Sequence, residues 1–256
     1  MMQRYFSMKF KFIILAAGKG KRMNSTIPKA LTRVGEKTIL QYQYEAIVAS
    51  KINGNPIVVI GPERQKLCEV FGGECEYAVQ EEQLGTGHAV LVTKDVVGDA
   101  DAVVVINGDQ PLITTKSLQK LTGRHIEREN IITMMTTTVP SFQNWYQAFT
   151  QWGRILRGSN GHIMGIREFR DASESEKLIK ELNPSLFCFD AAWLWENIES
   201  LETKNAQGEY YLTDLIALAV SQQQKLSSID VAPEEVLGIN TQEERDIVES
   251  VLKNRF

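Results

Sequence analysis

The sequence predicts an α/β protein built on a doubly wound sheet, and three observations carry that prediction. Short apolar runs recur through the first half, each compact enough to be a strand buried on both faces. Segments of helical length and apolar spacing separate them. From about Ile131 the rhythm changes to Thr- and Met-rich runs and a hairpin, as expected of insertions that add to the same sheet. Taken in order, Phe12–Ala17, Ile57–Ile60, Glu76–Val79 and Ala102–Ile106 read as strands. Ile39–Ser50, Glu63–Phe71, His88–Val97 and Thr114–Glu129 read as the intervening helices. Gly61-Pro62 punctuates one strand end, and Thr114 or Thr115 can cap the last of these helices. Such alternation makes right-handed βαβ units. Ile131–Val139 is then a strand, and Gly153–Arg157 and His162–Arg167 flank the turn Gly158-Ser-Asn-Gly. Leu186–Phe189 is a further strand, and Tyr210–Gln222 and Thr241–Asn254 are helices. The expectation is one domain over 1–256, with halves at 12–130 and 131–240 and a closing helical segment over 241–256.

With 43% hydrophobic and 23% charged residues, the 256-residue chain has the composition of a soluble globular protein. Its net charge of -4 hides an asymmetry. The first 40 residues carry nine Lys/Arg and a single acid, Glu36. That split suggests an N-terminal segment that meets something anionic, while the acidic remainder argues against non-specific nucleic-acid binding. Three cysteines, Cys68, Cys75 and Cys188, are too few and too scattered for a disulfide framework, and no Cys/His spacing suits zinc. The apolar run Phe12–Ala17 is too short for a signal core, and none approaches the ~18 residues of a membrane span. A cytoplasmic protein with no membrane partner is expected.

Four motifs carry chemistry. Leu15-Ala-Ala-Gly-Lys-Gly-Lys-Arg-Met, followed by Pro28-Lys29, places small residues and cations at the carboxyl end of a strand, where open α/β sheets bind ligands. Consecutive N–H groups there can cradle phosphate oxygens; a Gly-rich turn with a solvated charge run is the plainer alternative. The motif matches neither the dinucleotide fingerprint nor the Walker pattern. Asn107-Gly-Asp109-Gln-Pro-Leu sets a carboxylate at another strand end, suited to Mg²⁺ near phosphates or simply to a turn before Pro111. Glu82-Gln-Leu-Gly-Thr-Gly-His-Ala exposes backbone at Gly85 and Gly87 beside the Gln80 amide, which could read a base edge; the alternative is a helix start capped by Thr86. Asn205-Ala-Gln-Gly-Glu-Tyr-Tyr-Leu-Thr-Asp214 offers a polar pocket wall, or only a loop and cap. The four tryptophans read as packing residues.

In this order the motifs, with Gly153-Arg-Ile, resemble the N-acetylglucosamine-1-phosphate uridylyltransferase (UDP-GlcNAc pyrophosphorylase) domain of the bacterial bifunctional UDP-GlcNAc-synthesising enzymes, from about Phe12 to Asn240. The resemblance implies a Rossmann-like doubly wound mixed sheet of the nucleotide-diphospho-sugar transferase type, with a nucleotide-binding first half and a sugar-binding second half. It implies transfer of a uridylyl group from UTP to a sugar 1-phosphate, GlcNAc-1-phosphate first, with Mg²⁺ as cofactor. Leu15, Ala16, Ala17 and Gly18 would meet the nucleotide through their backbone, and Gln80, Gly85 and Thr86 would hold the uracil. Arg22 and Lys29 would be catalytic, neutralising the triphosphate. Asp109 and Asn240 would hold the metal. Gly153, Glu168 and Asn183 would contact the sugar, with Tyr211 and Thr213 nearby. Arg4, Lys9 and Lys11 are left as solvated charge.

The chain departs from this pattern in three ways. The family's Asn-Thr-Gly at the sugar site reads Asn183-Pro184-Ser185; Pro184 loses an N–H, and Ser185 is not expected to adopt glycine's backbone range. Ile239-Asn240-Thr241 stands where the family has Val-Asn-Asn, keeping the metal ligand. No hexapeptide repeat of the acetyltransferase β-helix occurs, so the trimer built by that helix is not expected. Two other readings stay open: the same reaction with a different sugar phosphate or nucleotide, and a non-catalytic nucleotide-sugar sensor.

Overall fold

The structure, a computed structural model, describes residues 8–18, 28–52, 55–62 and 65–255. Its strands in chain order are β1 (Phe10–Leu15), β2 (Arg33–Val34), β3 (Lys37–Thr38), β4 (Ile57–Ile60), β5 (Glu76–Val79) and β6 (Ala102–Asn107). The second half adds β7 (Ile132–Thr138), β8 (Gly153–Arg157), β9 (Ile163–Arg167), β10 (Glu181–Asn183), β11 (Phe187–Asp190) and β12 (Leu226–Asp230). All but the β2–β3 ribbon form one ten-stranded sheet of order β5-β4-β1-β6-β11-β7-β10-β8-β9, with β12 against β7. β5, β4, β1 and β6 run parallel, and β11 enters antiparallel between β6 and β7. The expected mixed α/β sheet is therefore present, and strands from both halves share it.

Period-two alternation divides the core between the two faces. Phe12 and Ile14 of β1, with Val104 and Ile106 of β6, pack against the helices Ile39–Ser50 and Thr115–Arg128. Ile13, Val103 and Val105 point the other way, toward Thr86–Leu91, Ala191–Asn197 and Asp214–Ser221. Each fully buried side chain of this size contributes roughly 1.5–3 kcal/mol, so these strands are fixed in register by burial alone. Caps set the helix ends: Thr38 forms a reciprocal capping box with Gln41, and Thr114, rather than Thr115, accepts from Ser117 N.

Several elements differ from the sequence reading. The helix expected over 88–97 is two pieces, Thr86–Leu91 and Lys94–Val97, broken where the Thr93 hydroxyl turns back to the Val90 carbonyl at 2.7 Å. The helix expected from Tyr210 begins at Asp214, because the Tyr210 backbone is already committed to Leu84 O and Gly87 N, at 2.8 Å each. β10, β12 and the Asp190-capped helix Ala191–Asn197 are additional. Lys11 is not solvated: its side chain is 14% exposed and pairs with Glu76, while Lys9 pairs with Asp99. Arg4 lies outside the described residues. Among the described residues no helix is long and apolar enough to cross a membrane.

Candidate active site

The carboxyl ends of β1 and β6 lie side by side. Gly108 N donates to Leu15 O at 3.0 Å, and a Cβ at position 108 would stand 2.5 Å from that oxygen, so the approach requires glycine. Between the two strand ends is a cavity of about 190 Å³ lined by Leu15, Ala16, Gly18, Lys29 and Asp109. The Lys29 ammonium donates to Asp109 Oδ2 at 2.6 Å and to Asn240 Oδ1 at 2.7 Å. These three residues come from distant parts of the chain, and the backbone explains how they meet. Ile239 N donates to Asp109 O at 3.0 Å, which sets Asn240 opposite the Asp109 carboxylate. Just beyond, Thr241 and Glu244 cap the closing helix Gln242–Arg255 reciprocally, Glu244 Oε2 also accepting from Asn240 N.

Two further cavities continue from the first. One, about 180 Å³, is lined by Asn107, Asp109, Trp152, Gly153, Glu168, Asn183 and Ser185; the other, about 130 Å³, by Leu15, Thr86, Asn107, Glu168, Ser185, Tyr211 and Thr213. The three share Asn107 and form one trough along the sheet's carboxyl edge, where a doubly wound sheet binds its ligands. The Glu168 carboxylate accepts from Thr213 Oγ1 at 3.0 Å. Burial holds its carboxyl above the usual carboxylate range, against that hydrogen bond, which lowers it.

The most distinctive sequence motifs meet on one wall. Besides the Tyr210 backbone latch, Leu212 N donates to Thr86 Oγ1 at 3.0 Å, and Asn205 closes its own turn through the Glu209 backbone. Thr86 therefore does not cap its helix, whose cap position is Gly85; it joins the loop to the 210–213 segment. Beside the cavity bordered by Gly153 and Asn183 lies Arg154, 1% exposed, with no carboxylate on its guanidinium among the described residues. It donates to the carbonyls of Thr150, Trp152 and Lys177 and sits between the Phe142 and Phe169 rings, at 4.8 and 4.9 Å.

Of the residues expected at the site, Leu15, Ala16, Gly18, Lys29, Thr86, Asp109, Gly153, Glu168, Asn183, Tyr211, Thr213 and Asn240 line the trough. Ala17 presents its carbonyl to the Gln83 amide. Gln80 is 3% exposed, and its amide nitrogen serves Gly85 O at 3.0 Å and His88 Nδ1 at 3.2 Å. Gln80 and Gly85 are joined by that hydrogen bond and lie outside the lining of these three cavities. Arg22, with Lys19 and Lys21, lies outside the described residues. Sequence reasoning missed Asn107, Gln110 and Trp152 as wall residues. The position of Asn107, last in β6 and before Gly-Asp, was the available signal for it; nothing in the spacing marked Trp152. Ser185 was expected not to reach glycine's backbone range. It does, at φ +57°, with Ser185 N held by Asn183 Oδ1 at 2.9 Å.

Residues 12–213 match the family model of the MobA-like NTP transferase domain. The chain is 36% identical to the bifunctional protein GlmU of Caldanaerobacter subterraneus and 38% identical to that of Streptococcus thermophilus, covering 95% of this chain and 52% of each of them. It is 37% identical to the GlmU of Desulfotalea psychrophila, covering 95% of this chain and 70% of that protein. The chain spans about half the length of most of the curated relatives it matches. Its fold is that of a UDP-glucose pyrophosphorylase solved with UDP-glucose, at a TM-score of 0.76, 15% identity and coverage of 97% and 100% of the two chains. A CMP:2-keto-3-deoxy-manno-octonic acid synthetase solved with CTP superposes at 0.68, with 17% identity and the same coverage. The resemblance to the bifunctional UDP-GlcNAc-synthesising enzymes is thus a relationship along almost the whole of this chain, and the chain belongs to the MobA-like NTP transferase family.

Proposed function

We propose that the chain transfers a uridylyl group from UTP to a sugar 1-phosphate, GlcNAc-1-phosphate being the first acceptor to try, and releases pyrophosphate. The observation that carries this reading is the trough itself: three joined cavities, with an ammonium held at one end between a carboxylate and an amide oxygen. In this reading the β1 loop and Lys29 take the triphosphate, and the cavity bordered by Gly153, Glu168 and Asn183 takes the sugar phosphate. An oxygen of the sugar phosphate attacks the α-phosphorus in line. A new P–O bond forms as the bond to the β-phosphate bridging oxygen breaks, and pyrophosphate leaves with that electron pair. The phosphate nucleophile is already anionic, so the protein supplies alignment and charge neutralisation rather than a base.

Asp109 Oδ2 and Asn240 Oδ1 fit a hard divalent cation: both are oxygen donors, and both already converge on one positive charge. Two protein oxygen donors leave the remaining positions of such a cation to substrate phosphates and water. When bound there, Mg²⁺ would neutralise phosphate charge. Arg22 is assigned the same duty toward the triphosphate, from its place in the motif alone. The test is Mg²⁺-dependent pyrophosphate release from UTP with GlcNAc-1-phosphate, run beside other hexose 1-phosphates and the other three nucleoside triphosphates. No release with any pair overturns the reading. A rise in melting temperature with UDP-GlcNAc but no turnover would instead support a sensor.

A further inference from the structure

Five described non-glycine residues have left-handed φ: Lys51, Glu129, Asn144, Ser185 and Gln223. Lys51 and Glu129 are helix C-caps, and Gln223 follows the helix Asp214–Ser221, all places where this conformation ends a helix. Asparagine tolerates it through its short polar side chain. Ser185 has none of these reasons, and it is the one of the five that lines the trough. A Cβ is disfavoured at such a backbone, and strain of this kind clusters at ligand sites.

Its surroundings show what the side chain does. Ser185, Asn107 and Glu168 are the residues common to the two sugar-side cavities, so they form the partition between them. Ser185 Oγ accepts from Asn183 Nδ2 at 3.2 Å, while Asn183 Oδ1 accepts from Ser185 N, so one residue occupies both ends of the Asn183 amide. The turn is fixed from behind by Gln110, whose amide donates to Pro184 O at 2.8 Å. The Ser185 side chain therefore adds bulk to the passage and takes one of the two N–H groups of the Asn183 amide.

We propose that Ser185 is a specificity-determining residue: its side chain, carried on a glycine-like backbone in the partition, makes acceptor choice depend on bulk and disfavours sugar phosphates with a large substituent. This rests on the transferase reading above, and the variants Ser185→Gly and Ser185→Ala test it. Glycine suits a φ of +57°, so Ser185→Gly is expected to fold at least as well as the parent. The measurement is kcat/KM with UTP for GlcNAc-1-phosphate and for glucose 1-phosphate, the two differing by an acetamido group. In Ser185→Gly the ratio should move about tenfold toward GlcNAc-1-phosphate, the scale a pocket contact of this size commands, with KM for UTP within about twofold. Ser185→Ala, which keeps Cβ but releases Asn183 Nδ2 from Oγ, should fall between. A ratio unchanged within about twofold in both variants overturns the proposal. If the parent turns over neither acceptor, calorimetric affinities for the two sugar phosphates decide the Ser185 proposal by the same ratio, while the transferase reading itself falls only if no acceptor and triphosphate pair releases pyrophosphate.

Discussion

Replacing Lys29 by methionine separates two roles for its ammonium, and the geometry gives them opposite signs. The Lys29 and Asp109 side chains are only 15% and 21% exposed and 2.6 Å apart, with Asn240 Oδ1 as the second acceptor. At an effective dielectric of about 20, the gross attraction across that distance is about 6 kcal/mol. Desolvation consumes most of it, leaving a net hold of about 1–2 kcal/mol for a pair this partly buried. A divalent cation on Asp109 and Asn240 must displace the ammonium first. Removing the competitor should therefore tighten nucleotide-free binding of Mn²⁺, a spectroscopic stand-in for Mg²⁺, by about 5- to 30-fold. Turnover should meanwhile fall about 10²-fold or more, because the same ammonium is expected to move to the triphosphate. Titration calorimetry of Mn²⁺ into the parent, Lys29→Met and Asp109→Asn measures the first effect, and pyrophosphate release the second. The Asp109→Asn variant should lose Mn²⁺ binding. Equal or weaker Mn²⁺ binding by Lys29→Met would refute the reasoning, since the lysine would then be helping the metal or standing apart from it.

Three further outcomes follow from buried groups away from that contact. His125 is 2% exposed, and burial lowers its pKa from 6.5 to about 4, partly opposed by Asp190. Between those values the unfolded chain binds a proton that the fold excludes, so this contribution is intact above pH 6.5 and up to about 3 kcal/mol is lost by pH 4; urea midpoints of His125→Gln should show a shallower acid loss than the parent. Gly85 has φ +114°, and a Cβ there would stand 2.7 Å from Tyr210 O, so Gly85→Ala should cost about 2–4 kcal/mol in denaturant unfolding and raise KM for UTP. Arg154→Lys should cost about 1–3 kcal/mol, because an ammonium cannot serve three carbonyls and stack between two rings; an unchanged denaturation midpoint would count against the guanidinium's bracing role.

In the parallel half, Ile57–Ile60 was legible because burial on both faces writes itself as a continuous apolar run, and it matches its strand residue for residue; Glu76–Val79 also matches, though at the sheet edge only Ala78 of it is buried. β12 was not legible, because Ser227 and Ser228 interrupt its apolar pattern and an edge strand can carry them. β10 has three residues, too few for any periodicity to register. At the site, the strand-end glycines and Asp109 were visible as motif chemistry. What the sequence could not show was the direction of an amide. Gln80, expected at the base by residue type, turns its amide nitrogen to Gly85 O and His88 Nδ1, a choice of direction that residue type alone does not give. The Ser185 expectation is overturned because a one-residue rule about backbone range could not include the Asn183 side chain that satisfies Ser185 N and Oγ together.

The charge asymmetry of the first 40 residues is resolved by the same accounting. Lys9 pairs with Asp99, Lys11 with Glu76 and Lys37 with Glu45, so much of this basic charge is matched by acids that follow later in the chain. Arg33 is turned onto the Glu36 carbonyl of its own turn. Of the five described basic side chains in that stretch, Lys29 alone lines the trough. A polyanion footprint needs several cations presented together on one face. Here the described cations are spread over separate pairings, and the one at the ligand edge is held by two oxygens that a divalent cation would also use. Among the described residues the basic charge of this stretch is thus mainly a record of which segments of the fold attract one another, and Lys29 is the one of them at the ligand edge.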